Sequence, residues 1–304
     1  MKMIKLVATI LSLALVLSLT SCVGGKKTSG SNGKAESSKS AAVKEEKPAP
    51  EEDFEIEASD DLSYVSVTKY KGKAKKVVIP ATIQGVPVKV IGNKYGHMEI
   101  PTIVEEVVIP EGVVQIKGLN CGQETMSSQL KSLKLPNTLK IIEGCRDFRN
   151  LKHVDLPSSL KMIGRCAFYG TGLEDVTIPE GVEVIEEMAF TECNNLKSIT
   201  LPKSIKFIGR DSHGDKTFDG DSIETINVPE GFVIYVESLG IPPYNASNFF
   251  AGAKITNSIA IQKLLKEMPL AITPYKEEFR ASGAKKYRNF FLKKYFNEGK
   301  EASN

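Results

Sequence analysis

Ser132, His153 and Asp155 carry a hydroxyl, an imidazole and a carboxylate, the groups needed for a nucleophile, its base and the acid that orients the base. His153 and Asp155 are two residues apart, which puts both on one face of an extended strand. A flat sheet, however, supplies no oxyanion donors from a turn or helix start and does not exclude water. The expectation is therefore a non-enzymatic chain in which this cluster bonds locally or holds a polar ligand, with a hydrolase as the remote alternative. Other reactive groups are scarce: the 304 residues hold three histidines (His97, His153, His213), no Trp and five cysteines. The cysteines contain no C-x2-C pair, so neither a metal nor a cofactor is expected. A net charge of +3, from 40 Lys and Arg against 37 Asp and Glu, argues against a nucleic-acid partner.

At the start of the chain, Lys2 and Lys5 precede an apolar run from Leu6 to Leu19, shorter than the roughly 20 residues of a spanning helix. The run ends in Leu19-Thr20-Ser21-Cys22, which resembles the bacterial lipobox. That resemblance implies that residues 1–21 are a lipoprotein signal peptide and that Cys22 is acylated, with two or more chains giving a stable membrane anchor. Val23 and Gly24 are not the Asp-type retention signal, which favours the outer membrane or cell surface over the periplasmic face. The rest of residues 22–53 is Gly, Ser, Lys, Glu, Ala and Pro without an aromatic, a composition expected to stay disordered. As a random coil this tether reaches about 30 Å.

An apolar-x-apolar-Pro unit then recurs, ending at Pro80, Pro110, Pro136, Pro157, Pro179, Pro202 and Pro229, with spacings of 30, 26, 21, 22, 23 and 27 residues. The longer spacings mark insertions, one of them at His97 to Ile103. In LEDVTIP, Val176 and Ile178 are two apart and face inward, while Asp175 and Thr177 point the other way. Pro removes a donor and ends the strand. A second apolar pair follows, such as Leu160 and Ile163 or Val182 and Ile185, and then a buried Ala-Phe pair. One such unit cannot bury its own apolar face, so neighbours must stack. The clearest copies, LKHVDLPSSLKMIGRCAFYGTG and LEDVTIPEGVEVIEEMAFTECNN, resemble the leucine-rich repeats of BspA-like, or treponemal-type, bacterial surface proteins.

The resemblance covers about residues 64 to 245 and implies a leucine-rich repeat solenoid over 54–246, with about seven repeats, a parallel sheet on the concave face and short irregular or extended convex segments. It also implies adhesion, with a protein or glycan ligand held on the concave face. By register the outward row is Lys76, Glu106, Val108, Ser132, Lys134, His153, Asp155, Asp175, Thr177, Ser198, Thr200, Thr225 and Asn227. Cys145 and Cys166 fall three residues after Ile142 and Ile163, where Met188 sits in the next copy, which reads as a buried apolar slot. Export permits disulfides, and Cys145 with Cys166 is the pair to consider.

After Asn245 the period changes. Ser258 caps a helical pattern through Ile261, Leu264, Leu265 and Met268, and Tyr287, Phe290, Phe291 and Tyr295 line a last one. Residues 247–304 are expected to form a basic helical cap, since residues 254–304 hold 11 Lys and Arg against 5 Asp and Glu. The alternative role is an envelope lipoprotein that contacts anionic lipid or wall polymer through these helices. A monomer is expected.

Overall fold

A three-residue strand with one apolar centre buries that centre only when neighbouring strands lie beside it. The computed structural model describes residues 46–122, 128–205, 207–208 and 223–227, and stacks the repeats in this way. An antiparallel pair opens the fold, β1 (Phe54–Ala58) with β2 (Val65–Tyr70), followed by β3 (Lys76–Val78), β4 (Thr82–Ile83) and β5 (Val86–Ile91). Later repeats give a strand at the anchor and a two-residue strand beyond it. These are β6 (Glu106–Val108) with β7 (Gln115–Ile116), and β8 (Ser132–Lys134) with β9 (Ile141–Ile142). The next repeat gives β10 (Met162–Ile163) alone. Then come β11 (Asp175–Thr177), β12 (Val184–Ile185), β13 (Ser198–Thr200), β14 (Phe207–Ile208) and β15 (Thr225–Asn227).

The anchor strands form the front face. Val77, Val107 and Leu133 are paired in parallel register, as are Val176, Ile199 and Ile226. The second strands form a longer sheet in the order β1-β2-β5-β7-β9-β10-β12-β14, parallel from β2 onward. The parallel anchor strands expected from the sequence are present, and the extended segments beyond them form a second ladder, which is unbroken. The front one is interrupted: residues 152–156 form no strand, so β3-β6-β8 and β11-β13-β15 are separate three-stranded sheets. At the interruption Val154 is only partly buried, whereas Val107 and Ile199, at the same repeat position, are fully buried. The main-chain bond from the Glu174 N–H to the Lys152 carbonyl at 3.0 Å and the Lys152–Glu174 ion pair at 2.8 Å tie this segment to the next coil.

Four of the anchor prolines start the turn that leads from one ladder to the other. The carbonyls of Pro110, Pro136, Pro157 and Pro179 accept from Val113, Leu139, Leu160 and Val182, three residues on, at 3.0 to 3.4 Å. The four accepting turns drive those apolar residues into the core, where all are fully buried. Farther along the coil, Ala167-Phe168 and Ala189-Phe190 are buried, and the two rings stack 5.5 Å apart at 19°. Coils approach closely enough that a Cβ on Gly172 would lie 2.0 Å from the Arg149 carbonyl oxygen, so only glycine fits there.

Residues 46–53, placed in the tether by composition, pack on the first coil. Glu51–Asp53 form a short 3-10 turn, the Ala49 N–H donates to the Val78 carbonyl at 2.8 Å, and the Lys71 N–H donates to the Asp53 carbonyl at 2.7 Å. The helical cap expected over 247–304 and the signal segment lie outside the described residues, as does Cys22.

Candidate functional site

The alternation of the anchor strands brings the outward row together, and the rungs match from coil to coil: Lys76, Glu106 and Ser132; Asp175, Ser198 and Thr225; Thr177, Thr200 and Asn227. Lys76, Lys134, His153, Asp155, Asp175, Thr177 and Asn227 are exposed, and Glu106, Val108, Ser132, Ser198 and Thr200 are half-buried.

The interruption divides this face into two halves of different chemistry. On the β3-β6-β8 half, Glu106 lies 3.2 Å from the Lys76 ammonium and 2.9 Å from that of Lys134. One residue earlier on each coil, Glu105 bridges Lys75 at 2.7 Å and Lys131 at 2.9 Å, and these two ammonium groups hold its carboxyl down to about 2. Lys134 and Lys76 likewise hold the Glu106 carboxyl below its ordinary value against the opposing effect of partial burial. Glu46, from the segment ahead of β1, joins the same group at Lys76 and Lys134. Apart from Asp175, the β11-β13-β15 half carries short hydroxyl and amide side chains. There the Asn227 amide donates to the Thr200 hydroxyl at 3.2 Å.

The imagined catalytic cluster does not assemble. His153 Nδ1 is 3.5 Å from Asp175 Oδ1 on the neighbouring coil, rather than paired with Asp155, and both partners are about two-thirds exposed. No hydrogen bond joins Ser132 to His153 among the described residues. Beside the insertion, Glu99 forms single bridges to Lys69 and Asn120 and helps line a polar groove of about 500 Å³ with Glu57, His97, Asn120 and Arg146.

None of the four cysteines of the described residues forms a disulfide. Cys145 and Cys166 do not share a repeat position, which corrects the register read from the sequence. Gly144, Cys166 and Met188 share one, since all three adopt φ between +52° and +58°. Their bonds repeat too, with the Gly144 N–H on the Arg165 carbonyl and the Cys166 N–H on the Glu187 carbonyl, each at 3.3 Å. That position is half-buried rather than an interior slot. Cys145 instead donates its N–H to the Ala167 carbonyl and is fully buried, and burial pushes its thiol up to about 12. Cys193 is also buried, with its thiol pushed up to about 11 by burial. Both stay protonated near neutral pH and unreactive as nucleophiles.

Sequence reasoning missed Glu46 and the hydroxyls that link successive turns. Thr138, Ser159 and Ser204 are each the second residue after an anchor proline, a recurrence that is visible in the repeat once its use is known.

Residues 124–238 match the family model of the BspA type leucine rich repeat region in six copies. No curated protein matches the chain. Among solved structures, a leucine rich repeat protein of T. pallidum is 24% identical over 60% of this chain and 86% of its own, with a TM-score of 0.45. A leucine-rich repeat protein from Bacteroides ovatus is 25% identical over 58% of this chain and 54% of its own, with a TM-score of 0.38. The pneumococcal vaccine antigen PcpA is 17% identical over 59% and 48%, with a TM-score of 0.34. The family match and the in-register coils agree: residues 124–238 are leucine-rich repeats of the BspA type.

Proposed function

We propose that this chain is a non-enzymatic bacterial cell-surface lipoprotein, anchored through Cys22, whose solenoid binds a protein or glycan ligand in adhesion. The binding residues are those of the half of the front face outside the Lys–Glu network: Asp175, Thr177, Ser198, Thr200, Thr225 and Asn227. The observation that carries this reading is the division of the face. The Lys and Glu of the first half are already paired with one another, so a ligand there must displace existing partners. Ser, Thr and Asn offer donors and acceptors and lose little side-chain entropy when a partner orders them. The lipobox-like Leu19-Thr20-Ser21-Cys22 supports the anchor, and the BspA-type repeat supports the surface address.

Two measurements test it. Protease added to intact cells releases the repeat domain if it is displayed; a domain that survives until the envelope is opened contradicts surface display. A Cys22→Ala protein takes up no labelled fatty acid; uptake that persists contradicts lipidation at that residue.

A further inference from the structure

The charged half of the front face has one ammonium more than Glu106 alone can match, and the chain fills the vacancy itself. Glu46 Oε2 lies 2.9 Å from Lys76 Nζ, and Glu46 Oε1 accepts from Lys134 Nζ at 3.1 Å. With Glu106 taking the same two ammonium groups, negative and positive charges alternate around a ring of four side chains drawn from β3, β6, β8 and the segment ahead of β1. That segment, Glu46-Lys47-Pro48-Ala49-Pro50, is built to run extended: proline disfavours helix at the residue before it, and Pro50 itself sits at φ −55°, ψ 137°. Three residues after Glu46, the Ala49 N–H donates to the Val78 carbonyl on β3, the strand at the edge of its sheet. An edge strand presents unpaired main-chain groups to any extended peptide.

The features read by this contact are a carboxylate between two ammonium groups and, three residues on, a backbone N–H. Lys47 and Pro48 between them are exposed. Nothing in the contact depends on the peptide being attached to the chain. We propose that Lys76, Lys134 and the Val78 carbonyl form a binding site for an extended acidic peptide, occupied in cis by Glu46 to Ala49 as a displaceable strap. Ion pairs between exposed side chains are weak, so the strap opens readily. A site that is closed part of the time has its apparent affinity for a foreign peptide lowered by the fraction of molecules that are open. This goes beyond the reading above: it concerns the other half of the face and holds whether or not the hydroxyl half binds a ligand.

The test uses the full chain in detergent and a fluorescent, amide-capped peptide Glu-Glu-Lys-Pro-Ala-Pro, followed by anisotropy at low salt. Glu46→Lys, which repels the strap from both lysines, is expected to tighten peptide binding by about fivefold or more by keeping the site open. Adding Lys76→Gln and Lys134→Gln is expected to abolish it. All three positions lie at the surface, and an unchanged circular dichroism spectrum confirms the fold of each variant. Equal affinity of the unaltered and Glu46→Lys proteins, no binding to Glu46→Lys, or binding that survives loss of both lysines overturns the proposal. Hydrogen exchange gives an independent readout. The Ala49 amide is expected to be protected in the unaltered chain and to lose that protection in Lys76→Gln/Lys134→Gln. Exchange at the free-chain rate without any substitution overturns the strap.

Discussion

The Thr138 hydroxyl accepts the N–H of Gly112, on the preceding turn, at 2.9 Å. The same oxygen donates to the Val113 carbonyl at 2.8 Å, so one side chain satisfies a donor and an acceptor of that turn. Ser204 does the same for Gly181 and Val182, and Ser159 donates to the Leu139 carbonyl. A turn that carries the chain from one ladder to the other cannot pair all its main-chain groups with the next coil, and a hydroxyl can act as donor and acceptor at once. Thr138→Ala, which orphans both groups at a part-buried site, is expected to cost about 1 to 2 kcal/mol, while Thr138→Ser keeps most of the stability. Thermal or denaturant unfolding of the two variants checks this, and equal losses would contradict the staple.

Glu143 and Gly164 predict a second coupling. Both follow the last residue of a second-ladder strand, and the Glu143 side chain lies over Gly164, where a Cβ would come 2.5 Å from Glu143 Cγ. Glu143 is buried and receives the Gln115 amide at 3.2 Å, so it is not free to swing aside. Gly164→Ala is expected to destabilise by about 1 to 3 kcal/mol. In a Glu143→Ala background the cost should fall well below that, a coupling that a double-mutant cycle measures directly.

Glu186, at the same repeat position one coil later, sets a pH dependence. Burial pushes its carboxyl up to about 7, with the Glu187 charge adding to the effect, although the carboxylate accepts the Arg165 N–H at 2.9 Å. The folded state therefore favours the protonated form. This group's stabilising contribution is complete below the ordinary value of 4.5 and is lost as pH rises through about 7. The full shift corresponds to a difference on the order of 3 kcal/mol. Glu186→Gln should leave stability nearly unchanged at pH 4 and raise it relative to the unaltered protein at pH 8. Parallel stability curves across that range would show that Glu186 does not titrate there.

The interruption at 152–156 is expected to be the loosest part of the front face. Its amides at His153, Val154 and Asp155 make none of the ladder bonds that hold Val107 and Val176. Native-state hydrogen exchange should find these three faster than their repeat equivalents by about tenfold or more. Equal protection would mean that the two front sheets are one cooperative unit.

How far the sequence could be read depended on what each element left in the pattern. The anchor strands were legible because Val176 is buried between exposed Asp175 and Thr177, a period of two with a proline to close it. The Ala-Phe pairs were legible for a similar reason. The second ladder was not, because in Ile141–Ile142 and Met162–Ile163 both residues are buried and a two-residue strand shows no alternation. The cysteine register slipped because Phe148 follows Ile142 by six residues, whereas Phe168 and Phe190 follow Ile163 and Ile185 by five. Counting forward from the isoleucines aligned Cys145 with Cys166, but the left-handed turn belongs to Gly144. Composition also hid Glu46: a segment poor in apolar residues reads as a tether, yet this one is held by a carboxylate and main-chain bonds.

The claim that the β11-β13-β15 half of the front face is the ligand surface is tested most directly by placing bulk and positive charge in it. Thr177→Arg and Thr200→Arg, on paired rungs of β11 and β13, are measured together for binding to matrix proteins and glycans, with Lys131→Ala on the charged half as the control. A loss of binding of about tenfold or more is expected, with the melting temperature and the control unchanged. Binding that survives both arginines, or that falls equally in the control, contradicts it.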